Sequence, residues 1–145
     1  MRRAVTTALV GLIHTGCLLT AGFPVASASP ADIPPEVPAD PDRVVFADNP
    51  QILNPHAAVV ESWSRSDDGL LLNFVSGARD CFGVHVLVDE TPEAVTVDLN
   101  GGMPPSSIGR MCIAQAVPGS VEVRLDEPLG DRVVLAVARN LDKPS

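Results

Sequence analysis

Apolar and polar residues alternate with a period of two from Arg43 onward, and turn-forming residues interrupt the alternation roughly every 8 to 12 positions. Successive side chains of a β-strand point to opposite faces, so this period predicts half-buried strands and not amphipathic helices. We therefore predict an all-β domain over residues 43–139, with about eight short antiparallel strands in a sandwich or flattened barrel. The predicted strands are Arg43–Ala47, Ala57–Arg65, Leu70–Ser76, Gly83–Glu90, Ala94–Asn100, Met111–Val117, Ser120–Asp126 and Arg132–Ala138.

Residues rich in glycine and proline separate the strands and predict particular turns. Ser66–Gly69 predicts a hairpin loop in which Gly69 supplies a positive φ angle. Pro118–Gly119 has the sequence of a type II turn, and Pro128–Asp131 predicts another turn. Asn100–Gly109 predicts a long loop without regular structure. The predicted core consists of the alternating apolar residues Leu70, Leu72, Phe74, Val84, Val86, Val88, Val95, Val97, Leu99, Val121, Val123 and Leu125.

The first 28 residues have the parts of a secretory signal peptide. A basic start at Met1–Arg3 precedes the apolar stretch Ala4–Phe23, and the small-residue triplet Ala26–Ala28 follows. Signal peptidase requires small residues at the −3 and −1 positions because its pockets there are shallow. We therefore predict a signal peptide over residues 1–28, cleavage between Ala28 and Ser29, and a secreted or extracytoplasmic protein.

Two alternatives for this leader remain open. Ala4–Phe23 is about as long as a bilayer core requires, so the leader could stay uncleaved as a membrane anchor, although His14, Gly16 and Gly22 dilute its hydrophobicity. Cys17 follows Thr15–Gly16, which suits lipid attachment as in a bacterial lipoprotein. The apolar run continues after Cys17 where a polar tether would be expected, but lipidation there would make the protein lipid-anchored.

Removal of the leader leaves two cysteines, Cys81 and Cys112. An even pair in an oxidising compartment predicts one disulfide. It would close a loop of roughly 30 residues, worth about 3.6 kcal/mol in the chain-entropy model. The competing interpretation is a metal site or a catalytic thiol, and neither cysteine has a CxxC partner or a histidine at ligand spacing.

Composition excludes several classes of protein. Without residues 1–28 the chain has 117 residues and a net charge of −10, which does not suit nucleic-acid binding and works against contact with anionic membrane surfaces. Apolar residues make up 46% of the sequence and charged residues 19%, so the chain is not wholly disordered. We predict no nucleic-acid partner, no cofactor and no membrane insertion after cleavage.

Two terminal segments lie outside the predicted domain. Residues 29–42 contain five prolines and no periodic apolar pattern, which predicts an extended, partly stiff tether. Residues 140–145 predict a frayed C-terminus.

Several short motifs resemble those of a group of small secreted actinobacterial proteins. The matching residues are Cys81–Gly83, Val86–Thr91, Cys112, Val121–Leu125 and Pro128–Arg132, the last of which reads Pro-Leu-Gly-Asp-Arg. The resemblance covers roughly half of the chain, and that group has no established activity. It implies export, a β-fold and a disulfide, and it implies no mechanism.

Reactive side chains do not fall into patterns typical of an active site. Ser106–Ser107 follows two prolines and lacks a Gly-x-Ser-x-Gly nucleophile elbow. His56 and His85 are the only histidines outside the leader, and His85 with Asp89 or Asp98 could form a serine triad. We predict no catalytic residue, and the binding residues stay unassigned.

Acidic residues occur in pairs at turns, where turn chemistry accounts for them. The pairs are Asp67–Asp68, Asp89–Glu90 and Asp126–Glu127. A glycosidase or a calcium site could use such carboxylates, but no Asp-x-Asp-x-Asp-Gly loop is present, so we predict no metal site. Arg132 is expected to pair with a nearby carboxylate or to cover a strand end.

These observations favour a secreted non-catalytic β-domain that acts by contact with an unidentified protein or cell-envelope component. Its expected contact surfaces are the Asn100–Gly109 loop and any exposed sheet edge. The alternatives are a small secreted hydrolase using His85 with a carboxylate, and a carrier of a small apolar ligand.

Overall fold

A computed structural model describes residues 31–138, and within this range the chain forms nine strands and one 3-10 helix. The signal peptide, the cleavage site at Ala28–Ser29, Cys17 and residues 140–145 lie outside the described residues. The elements are β1 (Ala31–Asp32), β2 (Val44–Phe46), β3 (Leu53–Ala57), β4 (Ser62–Ser66), β5 (Gly69–Ser76), β6 (Gly83–Glu90), β7 (Ala94–Met103), the 3-10 helix (Pro105–Ser107), β8 (Val117–Arg124) and β9 (Val133–Val137).

The strands form two sheets that share one core. One sheet has the order β1-β9-β7-β3, with β6 also paired to β7, and it curls into a half-barrel. The other sheet has the order β2-β8-β5-β4. The predicted all-β fold is therefore confirmed.

Two of the strand pairs are parallel, whereas the sequence pattern predicted antiparallel strands throughout. β2 pairs with β8 in parallel, and so does β7 with β9. Each of these pairs joins segments far apart in the sequence, and a parallel pair needs such a long connection. The local alternation of residues carries no information about that choice of neighbour.

The strand predicted over Ala57–Arg65 is divided between the two sheets. Near its start, the Ala58 N–H donates to the Leu99 carbonyl of β7 at 2.8 Å. Three residues later, the Glu61 N–H donates to the Asn73 carbonyl of β5, also at 2.8 Å. The segment therefore crosses from one sheet to the other, and β3 and β4 are separate strands.

The boundaries on both sides of the predicted Asn100–Gly109 loop are also different. β7 continues to Met103, because Asn100 and Gly101 still pair with both β3 and β6. The strand predicted over Met111–Val117 is absent except for Val117, and residues 111–116 have no regular structure. The irregular connection thus begins and ends later than the sequence predicted.

Two glycines have roles other than the predicted ones. Gly69 does not adopt a positive φ, and a Cβ atom there would collide with the Val123 carbonyl of the neighbouring strand. Pro118–Gly119 forms no turn and lies inside β8. At Gly119 a Cβ atom would lie 2.7 Å from the Phe46 ring, so the absence of a side chain lets this ring pack on the strand.

The core lies between the two sheets and follows the predicted alternation. The Phe46 and Phe74 rings pack with centroids 5.3 Å apart. Most predicted core residues are buried, whereas Leu125 is half-buried and Val88 is exposed at the end of β6. The fully buried members are Leu70, Leu72, Phe74, Val84, Val95, Val97, Leu99 and Val121.

Part of the segment predicted as a tether packs on the domain. β1 pairs with β9, and the buried Trp63 indole N–H donates to the Pro34 carbonyl at 3.1 Å. The Trp63 backbone N–H donates to Pro35, and its carbonyl accepts from Val37. Residues 34–37 therefore cover the edge of β4, held by long-range hydrogen bonds to Trp63 that no local apolar pattern indicates.

Candidate functional site

The predicted disulfide between Cys81 and Cys112 is present, with sulfur atoms 2.08 Å apart and Cα atoms 5.9 Å apart. It joins residues 77–82, which follow β5, to residues 104–116, which precede β8. We refer to these two segments as the disulfide tip. A disulfide of this kind indicates an oxidising, extracytoplasmic location.

Within the described residues, the backbone hydrogen bonds of the disulfide tip are confined to its two short turns. The N–H groups of Cys81 and Phe82 donate to the Ala78 carbonyl, each at 2.9 Å. On the other segment, Ser107 donates to the Pro104 carbonyl through both its N–H at 2.9 Å and its Oγ at 2.8 Å. Ser107 thus stabilises a turn of the loop.

Residues 111–116 are attached mainly through the disulfide. Within residues 31–138, this stretch makes no backbone hydrogen bond, and all six of its residues are exposed. The cross-link at Cys112 therefore replaces the contacts that usually hold a loop on a domain.

Large apolar side chains project from residues 108–113 of the disulfide tip. The exposed fraction is 66% for Ile108, 100% for Met111 and 69% for Ile113. Exposed apolar side chains that stand close together mark surfaces for binding. Part of this surface, up to Gly109, was predicted from the sequence, but Met111 and Ile113 were placed in a strand.

His85 lies beside a carboxylate that the sequence did not suggest. Its Nδ1 atom is 2.9 Å from Asp48 Oδ1, and the same oxygen accepts the Val86 N–H at 2.8 Å. Asp48 comes close to β6 because the Asn49 N–H donates to the Val84 carbonyl. Asp48 is 37 residues from His85 in the sequence, and no spacing pattern connects the two positions.

The His85–Asp48 pair has the geometry of two of the three members of a catalytic triad. A carboxylate on Nδ1 orients an imidazole, but catalysis also needs a nucleophile on the other ring nitrogen. Within residues 31–138, His85 forms no hydrogen bond to a serine, threonine or cysteine. His56 lies elsewhere, on β3, with its Nδ1 atom 3.4 Å from the Asn54 carbonyl.

The three predicted pairs of carboxylates lie together at the end of the sandwich opposite the disulfide tip. We refer to residues 66–69, 89–94 and 125–131 as the acidic end. Arg132 organises it, because its guanidinium donates to Glu90 at 2.8 Å and to the carbonyls of Glu127 at 2.6 Å and Pro128 at 3.0 Å. The predicted pairing of Arg132 with a carboxylate is confirmed.

The environment of Glu90 favours its charged form. The Asp126 backbone N–H donates to Oε1 at 2.8 Å, and Arg132 donates to Oε2. These two contacts, the first more than the second, hold the pKa of the Glu90 carboxyl below its usual value. Gly130 has a φ of +53°, so the turn predicted over Pro128–Asp131 is present. Glu90 and Arg132 therefore have a structural role, because their hydrogen bonds hold residues 126–128 in place.

Searches for other kinds of site and for known relatives were negative. In the part of the chain that the structure describes, no three histidine, cysteine or acidic side chains cluster as metal ligands. The same residues contain no helix that is long and apolar enough to cross a membrane.

Comparison of the sequence and structure with protein-family models, curated proteins and solved structures found no match.

Proposed function

We propose that this protein is a non-catalytic, exported binding domain that acts by contact with a protein or another component of the cell envelope. The observation that supports it is the disulfide tip, where Ile108, Met111 and Ile113 are exposed on a loop held by a covalent bond. A cross-linked loop loses less conformational entropy on binding than a free one, which increases affinity.

The location belongs to the same proposal. We take the leader to be cleaved between Ala28 and Ser29, and the resemblance to secreted actinobacterial proteins agrees with this. Lipid attachment at Cys17 is the alternative. Intact mass of the exported protein distinguishes a chain that begins at Ser29 from one that begins at a lipid-modified Cys17.

The binding role is tested by affinity capture from an envelope extract. Bait proteins are the native chain, the tip variant Met111→Ser/Ile113→Ser, and the control Val59→Ser, which removes an apolar side chain of 76% exposure outside the tip. Polar substitutions at such exposed sites should change stability by less than about 0.5 kcal/mol. Capture by the native and control proteins, but not by the tip variant, is expected. If the native chain captures no envelope component, neither protein nor lipid, the proposal fails.

A hydrolase is the second candidate, and the 2.9 Å contact between His85 and Asp48 favours it. A screen of esterase, peptidase and glycosidase substrates would be run with the native protein and with His85→Ala. Activity that disappears in this variant, and falls in Asp48→Asn, would replace the binding domain with an enzyme. We expect no activity in any of the three proteins.

A further inference from the structure

The disulfide tip combines apolar side chains with positive charge. Arg79 lies two residues before Cys81 and Arg110 two residues before Cys112, so the disulfide brings both to the same tip. Both arginines are exposed, and Asp80 is the only carboxylate in residues 77–82 and 104–116. The tip therefore has a formal charge of +1 in a chain whose net charge is −8.

The tip arginines differ from most others in the domain. Arg43, Arg65 and Arg132 each form an ion pair with a carboxylate. Arg79 and Arg110 form none with any residue from 31 to 138. The tip guanidinium groups are therefore available to an external anion.

Eight of the chain's 18 acidic residues lie at the end of the sandwich far from the tip. The acidic end contains eight carboxylates: Asp67, Asp68, Asp89, Glu90, Glu93, Asp126, Glu127 and Asp131. β8 connects the two ends, since Val117 follows the tip and Arg124 pairs at the 66–69 hairpin. Eight residues of strand span about 25 Å, whereas charges are screened over about 8 Å at physiological ionic strength. Repulsion from the acidic end is therefore weak at the tip.

We infer that the disulfide tip docks on an anionic lipid surface, with Ile108, Met111 and Ile113 entering the headgroup region and Arg79 and Arg110 contacting lipid phosphates. This inference rests on the tip being the contact surface, as the proposed function holds. Apolar side chains flanked by cations are the composition of interfacial membrane contacts. Met111 is fully exposed and so projects away from the domain.

Co-sedimentation with lipid vesicles tests the inference. The protein is used as exported, with its N-terminus and disulfide checked by mass spectrometry, and the vesicles contain either phosphatidylcholine alone or equal parts of phosphatidylcholine and phosphatidylglycerol. We expect binding to the anionic vesicles only. Met111→Ser/Ile113→Ser should weaken it by about tenfold for each side chain, and Arg79→Gln/Arg110→Gln by about fivefold for each charge.

The control Val59→Ser should bind like the native protein, and thermal unfolding of every variant shows whether the fold is intact. Absence of binding to anionic vesicles, or equal binding by the native protein and Met111→Ser/Ile113→Ser, would overturn the inference. So would equal binding to both vesicle types. If lipid binding is absent while the tip still captures a protein from envelope extract, only the lipid inference fails and the proposed function stands.

Discussion

Removal of the disulfide should destabilise the protein by a limited and predictable amount. The variant Cys81→Ala/Cys112→Ala opens a cross-link between residues 31 positions apart. In the chain-entropy model, a loop of that size contributes about 3.7 kcal/mol by restricting the unfolded chain. This is a large part of the 5–15 kcal/mol by which a domain is usually stable.

Part of this loss in the free energy of unfolding should be offset by greater freedom of the chain in the folded state. Residues 111–116 make no backbone hydrogen bond within the described chain, so they gain freedom in the folded variant as well as in the unfolded one. Neither sheet depends on the cross-link, because β6 pairs with β7 over eight residues in one sheet and β5 pairs with β8 over eight residues in the other. We therefore expect a loss of about 2–3 kcal/mol with the fold retained.

Urea unfolding followed by tryptophan fluorescence measures this loss. Trp63 is the only tryptophan and is 6% exposed, so its emission reports on the domain and not on the tip. In the folded variant, trypsin should also cut after Arg110 faster than in the native protein, because the tip has lost its anchor. A variant that does not fold, or one that matches the native protein in both measurements, would refute this view of the disulfide.

Three further predictions concern the acidic end and the core. Arg132→Gln should lower the free energy of unfolding by about 2–3 kcal/mol, measured in urea, because it leaves Glu90 and the loop carbonyls without their donor. Because the folded-state pKa of Glu90 is lowered, its contribution to the free energy of unfolding is complete above the ordinary pKa of 4.5 and is lost as the pH falls through the folded-state pKa. Melting temperatures measured over a pH series should show this loss in the native protein and less of it in Arg132→Gln. Gly119→Ala should cost about 2–3 kcal/mol in urea unfolding, because its Cβ would lie 2.7 Å from Phe46 and 2.9 Å from Phe74, and a cost below about 0.5 kcal/mol would contradict the packing.

The sequence alone does not identify the residue that each reactive side chain contacts. Asp89 and Asp98 were the carboxylates considered for His85, yet Asp48 is the one in contact with it. That contact depends on the path of the chain after β2, which no neighbouring residue specifies. Arg132 was likewise expected to bind a carboxylate, but its partner Glu90 lies 42 residues away in the sequence, so only the fold identifies it.

Local patterns in the amino-acid order are enough to predict that this protein is built of strands, which faces are buried, and that Cys81 pairs with Cys112. Alternation acts over neighbouring residues, and two cysteines in an oxidising compartment have one possible pairing. Only long-range contacts in the tertiary structure decide the remaining features. These are the parallel strand pairs, the packing of residues 34–37 on Trp63 and the separation of the cationic tip from the acidic end. The net charge of the chain sums the carboxylates of the acidic end and the arginines of the disulfide tip, although the fold holds these groups about 25 Å apart. Because of this distance, a chain with a net negative charge can present a positive, apolar tip.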